Sequence, residues 1–246
     1  AGLLANHIVT YTQDYADHSS YLSRYASKLT PILPPVELPV PTPQAVSAFA
    51  EKHRTKERRP VIGMVTRFAA EKGVEILLEA LPVVLKKYPN AQVLYAGQHQ
   101  NVMGEQAYFD RLNPLIHEYE NSGHWTFFGN LDPVQLAALY PNLDVLTVPS
   151  LNSTEAFGLV QIEAMMNGVP CVPSALPGVR RPVQMHGMGK ISQIGDSASL
   201  AESILGVLDD PQRFAYRGDI EAIKKSYDPD SIAQEYEKLF QRLMKR

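Results

Sequence analysis

From residue 61 onward, short continuous apolar runs alternate with longer segments in which apolar positions recur every three or four residues. Runs at 61–66, 92–97, 124–129, 144–150, 169–174 and 189–194 read as strands. Segments at 73–88, 105–120, 132–140, 157–167 and 197–210 carry the helical period. This alternation predicts an α/β fold, a Rossmann-like parallel sheet with helices on both faces. Pro82 and Pro114 fall inside two of the helical patterns, where a lost N–H and a ring clash are expected to kink or break the helix. A final segment, 231–246, is amphipathic, with acidic residues before its first turn.

Ahead of residue 61 the pattern changes. The stretch from Pro31 to Pro43 is dense in proline, which suits a stiff, extended connector and marks a domain boundary. Residues 7–26 read as one strand and one helix, too little to bury a core alone, and are expected to pack on the main domain or on chain outside this sequence. The run 51–59, "EKHRTKERR", reads as a solvated helix end. The division that follows is 1–38, then 39–60 as proline-rich linker and charged helix, 61–226 as the main domain and 227–246 as the last helix.

Composition narrows the function classes. The 246 residues are 45% hydrophobic and 20% charged, with a net charge of -3 and an isoelectric point near 6.2. The cations are scattered, so nucleic acid is excluded as the expected partner. The only cysteine, Cys171, lies in the apolar run "GVPCVPS" and reads as a small buried hydrophobe in a reducing, cytoplasmic setting. No apolar run approaches the roughly 18 to 20 residues that cross a bilayer. The first residues lack a signal-peptide pattern. They also lack a methionine, so the chain is expected to begin inside a longer reading frame, the alternative being removal of Met before a small residue.

Two segments carry candidate chemistry. In "VIGMVTRFAAEKGVEILLEA" a strand leads through a loop with Arg67 and Lys72 to Gly73 and a helix. Free backbone N–H groups and two cations at one opening suit a phosphate. With only Gly63 and Gly73, it is neither the dinucleotide fingerprint nor a Walker loop. The plainer alternative is two solvated cations. The second segment, "PSLNSTEAFGLVQIEAMMNG", holds Glu155 and Glu163 with seven residues between them. The N–H groups of Phe157, Gly158 and Leu159 should leave the carboxyl edge of the sheet, where open α/β folds bind ligands. Glu155 can accept from hydroxyls there, and Glu163 suits a vicinal diol such as a ribose, its alternative being an exposed helix position. Both segments end at the same edge, and a phosphate flanked by diols describes a nucleotide sugar.

Together "GMVTRFAAEKG" and "PSLNSTEAFGLVQIEAMMNGVPCVPSALPG" resemble the donor-binding, C-terminal half of the retaining GT-B glycosyltransferases of family four, over roughly residues 61 to 208. The resemblance implies that Arg67 and Lys72 hold the donor diphosphate. It also implies that Glu155 meets the transferred sugar, Glu163 the ribose, and the backbone of Gly158 and Leu159 the phosphate. Gly63 and Gly129 join the expected donor-binding set, Gly129 because the loop after Phe128 lies near the expected nucleobase pocket. "ALPGVRRPV" resembles the family's glycine turn near the sugar, but Arg180 or Arg181 stands where an acid is often seen. Residues 1–38 resemble the end of an N-terminal acceptor domain, and the last helix resembles the one crossing back to it, with part of its apolar face uncovered.

The implied reaction is transfer of a sugar, with retained anomeric configuration, from a UDP-, GDP- or ADP-linked donor to a glycan, lipid or small-molecule acceptor bound by that N-terminal domain. No metal or other cofactor is expected, and contact with a membrane would be peripheral. Rival readings are a non-catalytic nucleotide-sugar-binding subunit and a GT-B-type nucleotide-sugar epimerase. Paired carboxylates about 5 to 10 Å apart also serve glycoside hydrolysis, but a hydrolase has no diphosphate for the cationic loop to hold. Asp228 and Asp230 have a metal-binding spacing, yet directly before a helix capping is their expected role. Trp125, Phe127 and Phe128 are expected mostly in the core. His7, His18 and His53 precede the main domain and belong to no recognised motif.

Overall fold

The structure, a computed structural model, describes residues 2–216 and 218–245. The chain opens with β1 (Ile8–Thr10), α1 (Gln13–His18), a 3-10 stretch at Leu22–Lys28, β2 (Leu29–Pro31) and α2 (Pro43–Lys52). The main sheet and its helices then follow: β3 (Val61–Val65), α3 (Val74–Lys87), β4 (Gln92–Ala96), α4 (Gln106–Asn121), β5 (Trp125–Phe127) and α5 (Pro133–Leu139). Next come β6 (Val145–Val148), α6 (Leu159–Met165), β7 (Cys171–Pro173), α7 (Arg181–His186), α8 (Ser197–Asp209), α9 (Pro211–Phe214), α10 (Ile220–Tyr227) and α11 (Pro229–Met244).

The five strands β3 to β7 form one parallel sheet in the order β5-β4-β3-β6-β7, the α/β class expected. Both faces are covered, which is why its strands read as near-continuous apolar runs. Ile62, Met64, Val93 and Tyr95 face α3, α4 and α8, through Leu77, Leu81, Ile116 and Ile204. Val61, Leu94, Leu146 and Cys171 face α5, α6 and α10, through Leu139, Ile162, Met165 and Ile223. Successive strands step outward from β3 to β5, and the chain then returns to the other side of β3 for β6. The order therefore reverses between β3 and β6, and a crevice opens beyond their carboxyl ends.

Neither proline breaks its helix: Pro82 lies within α3 and Pro114 within α4. An interior proline costs about 3 kcal/mol. Leu77, Leu78, Leu81 and Val84 around Pro82 are all buried, and each buried aliphatic side chain returns about 1.5–3 kcal/mol. The strand expected at 189–194 is instead two isolated parallel bridges, Cys171↔Gly189 and Ser174↔Ser192. Along this edge Cys171 N donates to Met188 O, Lys190 N to Cys171 O, Ser192 N to Pro173 O and Ala175 N to Ser192 O. Pro173 has no N–H to continue that ladder at its centre.

The amino-terminal stretch holds one strand more than expected, since β1 pairs in parallel with β2. That pair is roofed by α11, where Ile232 and Leu239 bury against Ile32 and Leu33, while Phe240 and Met244 remain 56% and 78% exposed. Asp228 caps α11 by accepting from Ser231 N at 2.9 Å. The charged run after α2 is more than a solvated helix end. Arg58 donates to Gly123 O at 2.6 Å, Arg59 pairs with Asp144, and Asp144 accepts from Val61 N at 2.6 Å. These contacts strap the amino end of β3 to the chain entering β5 and β6.

Pro82 is exposed, so Pro82→Ala restores a main-chain bond to Leu78 without disturbing the core. The variant should be more stable by about 1–2 kcal/mol after allowance for the freer unfolded chain, read as a rise of a few degrees in the melting midpoint.

Candidate active site

The loop after β3 is held down in its middle. Phe68 is wholly buried against Tyr95, Tyr108, Phe109 and Phe127, and Phe68 N donates to Gln98 O at 2.7 Å. Arg67 and Lys72 flank this anchor. The loop closes on Gly73, whose φ of 73° is left-handed and where a Cβ would stand 2.0 Å from Pro149 O. Only glycine lets the loop after β3 touch the backbone after β6 there. Leu151 N donates to Glu71 O at 2.8 Å, so the same two loops are also hydrogen-bonded.

Beyond the ends of β3 and β6 lies a cleft of about 250 Å³, bordered by Thr66, Lys72, Ser150, Glu155, Gly158 and Leu159 among others. Lys72 Nζ meets Glu155 Oε2 at 2.8 Å, with side chains 16% and 23% exposed. The other oxygen, Glu155 Oε1, accepts from Gly158 N at 3.1 Å. Arg67 is paired with Glu71 in the same loop. Each of the two expected cations is thus covered by a carboxylate of this chain.

The remaining expected residues lie elsewhere. Glu163 sits on the second turn of α6, where Oε2 accepts from Tyr140 Oη. It is part-buried rather than an exposed helix position. Burial raises its pKa, and the hydrogen bond from Tyr140 opposes the rise; burial beside this carboxylate also pushes the Tyr140 phenol up. Gly63 is inside β3, where a Cβ would stand 2.3 Å from Leu143 Cδ1, so it serves packing and does not border the cleft. The Phe157 ring is 1% exposed and lies against Tyr11 and Tyr227. Gly129 follows β5, and its carbonyl accepts from Gly97 N at 2.7 Å. Trp125 is in the core, Phe127 stacks on His99 at 4.1 Å, and Phe128 packs on Phe49 and His53.

Sequence reasoning missed Thr66, Ser150, Tyr140 and Asp14. The first two were readable as strand ends at the expected edge, but nothing in the spacing links Tyr140 to Glu163 or Asp14 to its partner. Asp14 answers the departure noted in "ALPGVRRPV". Its carboxylate accepts from Arg180 Nη2 at 2.6 Å, from Arg180 Nε at 3.0 Å and from Gly178 N at 2.8 Å. Burial works to raise the Asp14 pKa, but the bonds from Arg180 and Gly178 prevail and hold it below the usual value. Arg181 donates to Gln184 instead. Gly178 has a φ of 83°, and a Cβ there would stand 2.1 Å from Ala156 O, so this turn rests on the residue next to Glu155. Among the described residues, no group of three or more His, Cys, Asp or Glu could hold a metal, and no helix is long and apolar enough to cross a membrane.

The family profile of the glycosyl transferases group 1 matches residues 46–234. The chain belongs to that family. The chain is 30% identical over 173 residues to the phosphatidyl-myo-inositol mannosyltransferase of Mycobacterium leprae, covering 69% of this chain and 43% of that protein. It is 31% identical over 188 residues to the D-inositol 3-phosphate glycosyltransferase of Corynebacterium jeikeium, covering 70% of this chain and 44% of that protein. The chain therefore spans less than half the length of these curated relatives. The crystal structure of Anabaena HepE in complex with UDP shares the fold, with a TM-score of 0.83 and 22% identity over 98% of this chain and 65% of that one.

Burial lifts the Glu163 pKa above its ordinary 4.5. The stability this group contributes is therefore fully present below 4.5 and is lost as pH rises through the raised value. Glu163→Gln should be more stable than wild type at pH 8, the difference closing as pH falls toward 4.5. Urea unfolding at several pH values measures this, and an unchanging gap would contradict the assignment.

Proposed function

We propose that the switch-point cleft binds a nucleotide-diphosphate sugar and that, in the complete enzyme, the sugar passes to an acceptor with retention of anomeric configuration. The observation that carries this reading is the convergence of Lys72, the Gly158 N–H and Glu155 in the crevice between β3 and β6. Such crevices are where open α/β sheets bind nucleotides. The names of the two relatives, a mannosyltransferase and a glycosyltransferase, and the UDP bound to HepE support it.

Breaking the bond from the anomeric carbon to the diphosphate leaves negative charge on the departing oxygens, and donors fixed before that charge develops are usually the largest catalytic contribution. Lys72 and Arg67 would supply it, so the reading calls for no metal or other cofactor. In the front-face course of a retaining transfer, the acceptor hydroxyl attacks on the side from which the diphosphate leaves, and the diphosphate takes its proton. Glu155 would accept from sugar hydroxyls and Glu163, braced by Tyr140, from the ribose. The glycan, lipid or small-molecule acceptor would be held by chain outside this sequence. A cytoplasmic enzyme peripheral to a membrane fits a relative named for a phosphatidyl lipid.

Thermal unfolding with UDP, GDP, ADP and their sugar conjugates tests the reading. A ligand at a hundredfold its dissociation constant should stabilise by about 2.7 kcal/mol. Lys72→Ala should weaken binding about tenfold or more, the worth of a hydrogen bond to a charged group, and Arg67→Ala should weaken it as well. If no nucleotide stabilises the chain, or if Lys72→Ala binds as wild type does, the cleft is not a donor site.

A further inference from the structure

Two donors that border the cleft, the Lys72 ammonium and the Gly158 N–H, are both occupied, and by one side chain. Glu155 accepts from Lys72 Nζ through Oε2 and from Gly158 N through Oε1. Lys72 has no other ion-pair partner among the described residues, and its 16% exposure leaves little water to compete. From this geometry we infer that Glu155 is an internal competitor for the diphosphate, and that it makes the cleft discriminate a nucleotide sugar from the bare nucleoside diphosphate. The inference rests on the donor-site reading above.

A phosphate taking the Lys72 ammonium and the Gly158 N–H must displace this carboxylate, because two anions within a few ångströms of one another in a part-buried cleft repel strongly. The displaced group stays close. Its loop is held on one side by Tyr15 Oη, which donates to Ser153 O, and on the other by α6. What it meets next depends on the ligand. A bare nucleoside diphosphate presents only more anionic oxygen, so Glu155 is left unpartnered and the latch tends to re-form and expel the ligand. A sugar on the terminal phosphate presents hydroxyls that donate to the freed carboxylate. Donor then binds with a new partner for Glu155, whereas product leaves with the old pair restored.

Titration calorimetry with UDP, GDP and ADP, each beside its glucose or mannose conjugate, tests this on wild type, Glu155→Gln and Glu155→Ala. Glutamine keeps the shape and removes the charge; alanine removes both contacts. Their unfolding midpoints without ligand establish that each is folded. The expected result is that whichever diphosphate binds wild type binds both variants about tenfold more tightly, while the preference of wild type for the sugar conjugate over that diphosphate shrinks by a similar factor. If a diphosphate binds wild type and both variants equally, the latch is wrong and the donor site stands. If neither wild type nor variants bind any diphosphate or conjugate, both readings fail. A variant that binds the diphosphate more weakly would make Glu155 a supporting contact and overturn the inference.

Discussion

The site depends on a backbone contact that only a missing side chain permits. Gly73 and the Pro149 carbonyl meet where any Cβ would collide, and this joins the loops leaving β3 and β6 across the point where strand order reverses. Lys72, one residue before the contact, is thereby carried to the loop holding Glu155. The parallel sheet sets the approximate position of these loops, and the clasp fixes their register. Phe68, buried among four aromatic rings, does the same from beneath by keeping the middle of the cationic loop out of the cleft.

A second constraint comes from the far end of the sequence. Asp14 holds both the Arg180 guanidinium and the Gly178 N–H, and the Gly178 turn presses on Ala156 beside Glu155. A bidentate guanidinium–carboxylate pair sets an angle as well as a distance. The amino-terminal stretch is in turn held by α11 over β1 and β2. Both termini of the described chain therefore bear on the loop that presents the carboxylate, although neither borders the cleft.

Most of the fold was legible because strands buried on both faces and helices buried on one leave different periodicities. What escaped depended on single atoms. Pro173 withholds one N–H and reduces an expected strand to two bridges, while Pro82 and Pro114 are overridden by packing that a propensity cannot weigh. At the site, the sequence brought Lys72, Glu155, Gly158 and Leu159 to one edge, because all follow strand ends. It could not show that Lys72 and Glu155, 83 positions apart, neutralise each other. Nor could it show that Gly63 leaves room for the Leu143 side chain, or that Tyr140 waits beside Glu163.

The single thiol has a practical meaning. Cys171 is fully buried in β7, on the sheet face covered by α5, α6 and α10, and burial pushes its pKa up, so it is held as an unreactive thiol. Because β7 also carries the edge that follows Pro173, a thiol reagent can reach this sulfur only when that side of the sheet opens. The chain thus contains a built-in clock for local opening of the half that bears α6. The rate of single-site labelling would report how often the carboxylate-bearing loop loses its support, without any probe being introduced.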